Sequence, residues 1–261
     1  MSKMKKKDFK KIVGLIITII VVIGGIYNYF TEPTQETPTE AKTQITTETQ
    51  NTTGLSKATT ETNATDEFTL SDIPAYSGDA YVVVNGNIPY FTQDDYTTQS
   101  YEFYSELDDL GRCGVCTACI GTDIMPTEKR GSISSVHPTG WIQKQYDCIA
   151  SKDLYNRCHL IAFSLAGENA NKQNLITGTR YMNEAMIEFE ELVHDYVVET
   201  QEHVLYRVTP IFQDDNLVAS GVLMEALSME DEGDSVCYCV YIYNVQPGVV
   251  IDYATGESKA E

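Results

Sequence analysis

Residues 154–191 read LYNRCHLIAFSLAGENANKQNLITGTRYMNEAMIEFEE, and the rest of the chain is arranged around them. His159 follows Arg157 by two positions and precedes the apolar run Leu160–Phe163. A loop rich in amides, Asn169 to Asn174, comes next. The stretch then enters a strongly patterned helix, expected over Arg180 to about Val198. Tyr181, Met182, Ala185, Met186, Phe189, Leu192, Val193, Tyr196 and Val197 recur there at helical spacing and form one apolar stripe. Asn183 sits about 100° round from Met182, at the edge of that stripe. Glu190 lies seven residues on and only about 20° from Asn183 around the axis, whereas Glu191 is about 80° away. One helix face therefore presents an amide and a carboxylate two turns apart.

These residue types suit one chemistry. Cutting a phosphodiester needs a water made nucleophilic, an electrophile on the phosphate and relief of charge on the departing oxygen. A neutral imidazole can take the proton of water near pH 7, because the ordinary histidine pKa is about 6.5. A hard divalent cation such as Mg²⁺ keeps most of its waters, so one amide oxygen can hold it. Arginine forks bind phosphate oxygens and absorb transition-state charge. His159 is thus a candidate general base, Asn183 a candidate metal ligand, and Arg157 a candidate phosphate contact.

Outward from this stretch the pattern changes to strands. Ala80–Phe91 (AYVVVNGNIPYF) predicts two strands about the turn Asn85-Gly86. Residues 203–212, 217–224 and 236–245 predict three more, and the middle of the domain looks rich in loops. The tyrosines of the last strand, Tyr238, Tyr241 and Tyr243, read as sheet packing rather than base stacking. The mixture predicts an α+β fold with an antiparallel sheet and few helices. His137, His194 and His203 read as surface or packing residues.

The N-terminal quarter is of another kind. Lys3, Lys5, Lys6, Lys7, Lys10 and Lys11 stand against the single Asp8 in residues 1–11. Residues 12–30, IVGLIITIIVVIGGIYNYF, carry no formal charge and as a helix would reach roughly 28 Å, enough to span a bilayer. The basic flank predicts a cytoplasmic start and a single-pass anchor, with an extracellular domain behind it; cleavage and secretion is the alternative. Residues 31–67 are Thr/Glu-rich and nearly free of large apolar side chains, which predicts a disordered linker. Residues 68–261 are long enough for one domain with a real core.

The net charge of −20 argues against a broad polyanion-binding surface. Lys129, Arg130, Lys144, Lys152, Arg157, Lys172 and Arg180 nevertheless flank the central stretch, which allows a basic cleft on an acidic body. Of the seven cysteines, Cys113, Cys116 and Cys119 form a C-x-x-C-x-x-C pattern that offers a zinc or iron–sulfur reading. With no second spaced pair, burial or a disulfide-bonded turn fits better. Cys237 and Cys239 point to one side of one strand and read as core packing. An odd number of cysteines leaves at least one outside any intrachain disulfide.

Asn156-Arg157-Cys158-His159 resembles the Asp-Arg-Gly-His signature of the DNA/RNA non-specific endonucleases, whose active site is a ββα-metal motif. The likeness continues through Asn174 to Asn183, nine residues apart as in the family, and on to Phe189-Glu190. Segments 110–114 (LGRCG), 125–141 (MPTEKRGSISSVHPTGW), 206–212 (YRVTPIF), 217–226 (LVASGVLMEA) and 244–256 (NVQPGVVIDYATG) are similar to its membrane-anchored DNA-entry branch. This resemblance implies a nuclease for DNA and also RNA, with Mg²⁺ or Mn²⁺ as cofactor and DNA-uptake machinery as a partner. It implies His159 as base, Asn183 as direct metal ligand and Asn174 as the residue that shapes the metal loop. Glu190 is implied as support for the metal, Glu191 being the alternative that keeps the family spacing. Arg157 and Asn156 fall on signature positions, and Arg130 falls near an upstream phosphate-binding arginine. Asn156 stands for the signature aspartate and Cys158 for its glycine, which puts a thiol open to oxidation beside His159. The alternative of another class is a catalytically inactive binding or adhesion domain on a tethered stalk.

Overall fold

Val, Ile, Tyr and Leu alternating over the C-terminal half build a long antiparallel sheet because such side chains pack well on a pleated surface. In the computed structural model, which describes residues 73–261, this sheet has six strands. They are β1 (Tyr81–Val83), β2 (Tyr101–Tyr104), β3 (Cys116–Ile120), β6 (Val204–Ile211), β7 (Gly221–Ser228) and β8 (Cys237–Tyr243), in the order β1-β8-β7-β6-β3-β2. Every pairing is antiparallel. A separate antiparallel hairpin joins β4 (Tyr155–His159) to β5 (Leu175–Thr179), with the short helix α1 (Phe163–Ala166) inside its connection. Helix α2 (Arg180–Thr200) follows β5 at once, and β9 (Val249–Ile251) with β10 (Ser258–Ala260) forms a terminal hairpin. The fold is α+β with few helices, and β4-β5-α2 is a ββα unit.

Alternation gives the sheet two buried faces. One face brings Ala118, Ile120, Tyr206, Val208, Met224 and Val240 against Cys158, Leu160 and the apolar stripe of α2. The other gathers Leu223, Cys239, Tyr241 and Tyr243 under the N-terminal segment that carries Ile73, Val84 and Tyr90. Burial of such areas at about 25 cal/mol per Å² drives the docking of the ββα unit onto the sheet.

Helix α2 starts because Thr179 caps it: the hydroxyl accepts from Met182 N at 3.0 Å. It stops where Gln201 turns into the left-handed region, with φ 62°. Its N-terminus is tied to the strand ends by Asn244. Asn244 Oδ1 accepts from Thr179 N (2.8 Å), while Nδ2 donates to Thr177 O (3.1 Å) and Ala219 O (2.9 Å), all fully buried.

Several expectations need correcting. The hairpin predicted over 80–91 does not form: β1 pairs with β8, and residues 88–91 are not a strand. Asn85, Gly86 and Asn87 all take positive φ, so the chain leaves the sheet in a 3-10 turn. Asn87 then binds Cys237 O and Cys239 N, and Tyr90 N donates to Glu225, which holds the segment across the sheet face. The strand expected over 217–224 begins later, at Gly221, because Asn216 N closes a turn onto Gln213 O and Val218 N is taken by the distant Tyr253 O. The middle is loop-rich as expected, residues 105–115 and 121–154 holding no helix or strand, but β3, β4 and β5 also form there. On α2, Leu192 is exposed and Tyr181 half-buried, since both lie at the rim of the stripe. All seven cysteines are free. Cys113, Cys116 and Cys119 are buried, and no cluster able to hold a metal is formed by His, Cys, Asp or Glu among the described residues. Cys239 is buried, but Cys237 at the strand end is exposed.

The basic tail 1–11, the anchor 12–30 and the linker 31–67 lie outside the described residues, as does the start of the domain at 68–72. Among the described residues no helix is long and apolar enough to cross a membrane.

Candidate active site

The site is a cleft of about 440 Å³ between the loop that carries Arg130, strand β4, helix α1 and one flank of α2. Residues two apart on a strand share a face, so Arg157 and His159 of β4 both line it, and the intervening Cys158 turns inward. Steps of about 100° per residue bring Asn183, Ile187, Glu190, Glu191 and His194 of α2 onto the opposite wall.

His159 is 7% exposed and held at both nitrogens. Nε2 lies 2.7 Å from Asn169 O, an acceptor only, so Nε2 carries the proton and donates. Nδ1 then bears the lone pair and accepts from Arg130 Nη2 at 3.2 Å. Burial lowers the His159 pKa from its ordinary 6.5, the Asn169 carbonyl works against this, and the Arg130 charge adds to the lowering. The ring is a neutral base at pH 7, with its basic atom facing a guanidinium.

Arg157 is fixed by the backbone. Nε donates to Val136 O (2.5 Å) and Nη2 to Ser134 O (3.1 Å), while its guanidinium lies over the Trp141 ring at 4.1 Å. The remaining donors are free to meet an anion. Glu190 is half-buried on the facing wall and makes no side-chain hydrogen bond or salt bridge among the described residues. Desolvation pushes its carboxyl up to about 8; Arg130 pulls it down and Glu191 adds to the rise. Such a carboxyl gains most from a nearby cation. Asn183 Oδ1 accepts the Cys158 thiol at 3.2 Å and keeps a second lone pair. An amide oxygen and a carboxyl in want of positive charge, on one wall, fit a small divalent cation that keeps most of its waters.

Other sequence candidates sit beside the cleft rather than in it. Asn174 is fully buried: Oδ1 accepts from Ile161 N (2.8 Å) and Nδ2 donates to Ile161 O (2.9 Å). It thereby clamps the chain just beyond His159. Asn156 is half-buried on β4, and its Nδ2 has no hydrogen-bond partner. Cys158 is 1% exposed, and burial followed by Glu190 raises its thiol pKa, so the expected oxidation-prone thiol is instead an enclosed protonated one.

Two residues were missed. His194 was read as surface or packing, yet it lines the cleft; it lies one turn beyond Glu190 on the same flank, and helical phase could have revealed it. Asn169 acts through its backbone carbonyl, which no side-chain pattern encodes.

Residues 92–229, more than half of the chain, match the family model described as DNA/RNA non-specific endonuclease. NucA from Streptococcus agalactiae, in a crystal structure with magnesium ion bound, is 27% identical with a TM-score of 0.62, over 69% of this chain and 86% of that one. Its form with no metal bound is 26% identical, with a TM-score of 0.64 over 74% and 92%. Sda1 nuclease with bound zinc ion is 28% identical, with a TM-score of 0.52 over 62% and 81%.

Proposed function

The chain belongs to the DNA/RNA non-specific endonuclease family, and from that premise we propose that it is a divalent-metal-dependent endonuclease acting on DNA, and on RNA, outside the cell. The observation that carries this reading is the shared cleft, with a neutral, carbonyl-oriented imidazole on one wall and Asn183 with Glu190 on the other.

In this reading Arg130 and Arg157 hold the scissile phosphate, their donors matched to its oxygens. Binding of the phosphate draws Arg130 off His159 Nδ1, which frees that lone pair for a water. His159 takes the proton of the attacking water at Nδ1 while the Asn169 carbonyl keeps the ring in the productive tautomer and steadies the imidazolium. Asn183 and Glu190 hold the cation, for which Mg²⁺ is the first choice and Mn²⁺ the second. When bound, that cation supplies Lewis-acid polarisation of the phosphate and neutralises charge on the departing oxygen. Asn174 keeps the chain after His159 in place.

The magnesium ion bound by NucA, 27% identical, supports the choice of metal. Residues 12–30 anchor the domain in the cell membrane, with 1–11 inside and 31–67 as the linker that sets residues 68–261 at the outer surface. There the substrate is free nucleic acid, degraded for nucleotides or cut for an uptake apparatus.

Plasmid nicking by the purified full-length chain tests this. Cutting should require Mg²⁺, fall about 10³-fold in His159→Ala, and in Asn183→Ala recover only at much higher Mg²⁺. Intact plasmid under every metal condition would leave the tethered binding domain as the surviving reading.

A further inference from the structure

The side chain beneath Asn183 is one that the family signature does not carry. Cys158 stands at the glycine position of that signature, on the inward side of β4, 1% exposed. Its Sγ lies 3.2 Å from Asn183 Oδ1. A thiol donates one hydrogen and its sulfur accepts only weakly, while the amide has one oxygen and one NH₂; here the oxygen is turned to sulfur and accepts the S–H. The S–H donor favours this flip state over the other, with one lone pair of the amide oxygen taken by S–H and the other available.

A second feature makes room for this arrangement. A Cβ added at Gly178 on β5 would collide with Cys158 Sγ and with Met182 Cε and sit 3.1 Å from Cys158 Cβ. Gly178 is thus the hole into which the thiol fits, and Met182, the residue before Asn183, closes it from the helix side. The volume that an ordinary residue would fill at position 178 is spent on the donor.

We propose that Cys158 is a positioning residue for the metal ligand: its thiol, seated against Gly178, orients the Asn183 amide so that the oxygen is presented to the cation. This deepens the proposed function and rests on it. Groups that orient a ligand commonly change metal affinity by about 10–100-fold when removed.

The experiment measures Mn²⁺ binding to the full-length chain by electron paramagnetic resonance, beside the melting temperature of the metal-free protein. Cys158→Ala should weaken Mn²⁺ binding by about tenfold while the metal-free protein stays folded. Cys158→Ser, which keeps a donor, should stay within about threefold of the parent. Unchanged binding in Cys158→Ala, or equal losses in both variants, overturns the inference and leaves the nuclease reading intact. A parent protein that binds no Mn²⁺ overturns both at once. Should the alanine variant fail to fold, the parent protein decides. Its Cys158 S–H stretching band, identified by its loss in Cys158→Ser, should shift when Mn²⁺ is added, and a band that does not move overturns the inference.

Discussion

At the scale of single residues, Arg130 has two effects on His159 that experiment can separate. Its charge depresses the imidazole pKa, and its guanidinium donates to Nδ1. In Arg130→Ala the folded-state pKa of His159 rises, though not fully, since burial is the larger cause and persists. The acidic limb of the kcat/KM–pH profile should then move to higher pH, with kcat/KM at the plateau down about 10–100-fold from the lost phosphate contact. A lower plateau with an unmoved limb would mean that Arg130 binds substrate without touching the base. The candidates Arg157, His159 and Asn183 were visible in the sequence because their chemistry and spacing are local. Arg130 is 29 residues from His159 in the chain, so their contact comes only from the loop that folds back over β4.

At the scale of elements, α2 divides its surface by phase: one flank meets the sheet and the next meets the cleft. That flank includes Glu190 and Glu191 alike, so helical position alone does not choose between them. What separates them is environment, because Glu190 is drawn in toward the core and Glu191 is exposed. The position of the helix depends on Asn244, which ties its N-terminus to β5 and to the turn before β7. Asn244→Ala leaves Thr179 N, Thr177 O and Ala219 O buried without this partner. It should cost about 2–3 kcal/mol, read as a lower denaturant midpoint with an unchanged m-value. Activity should fall with it through displaced Asn183, while the pH profile of the remaining activity keeps its shape. A midpoint unchanged from the parent would show that the knot can be reformed by water.

At the scale of the whole molecule, an acidic chain binds an acidic substrate. The net charge is −20, yet the cleft turns Arg130 and Arg157 to the same opening, with His194 further along. Few phosphates are neutralised in such a complex. With two contacts the slope of log affinity against log salt should be about −2 for duplex DNA, measured as the salt dependence of KM. A slope near −6 would reveal a wider basic surface than this cleft. The rigid frame is the six-stranded sheet buried on both faces, which holds the ββα unit from behind and leaves its cleft open to solvent.

By itself the sequence determined the α+β class, the extent of α2 and the candidates His159, Arg157 and Asn183 that line the cleft, because those depend on periodicity and on side-chain type over a few turns of chain. It erred at Asn85-Gly86, where a sound local turn signal lost to long-range pairing of β1 with β8. Only the tertiary structure decided which tautomer His159 holds, that Arg130 reaches it, that Cys158 lies under Asn183 and that Asn244 secures the helix. Each of these joins groups distant in sequence, and their partners are set by how the sheet and the ββα unit pack, which no local pattern encodes.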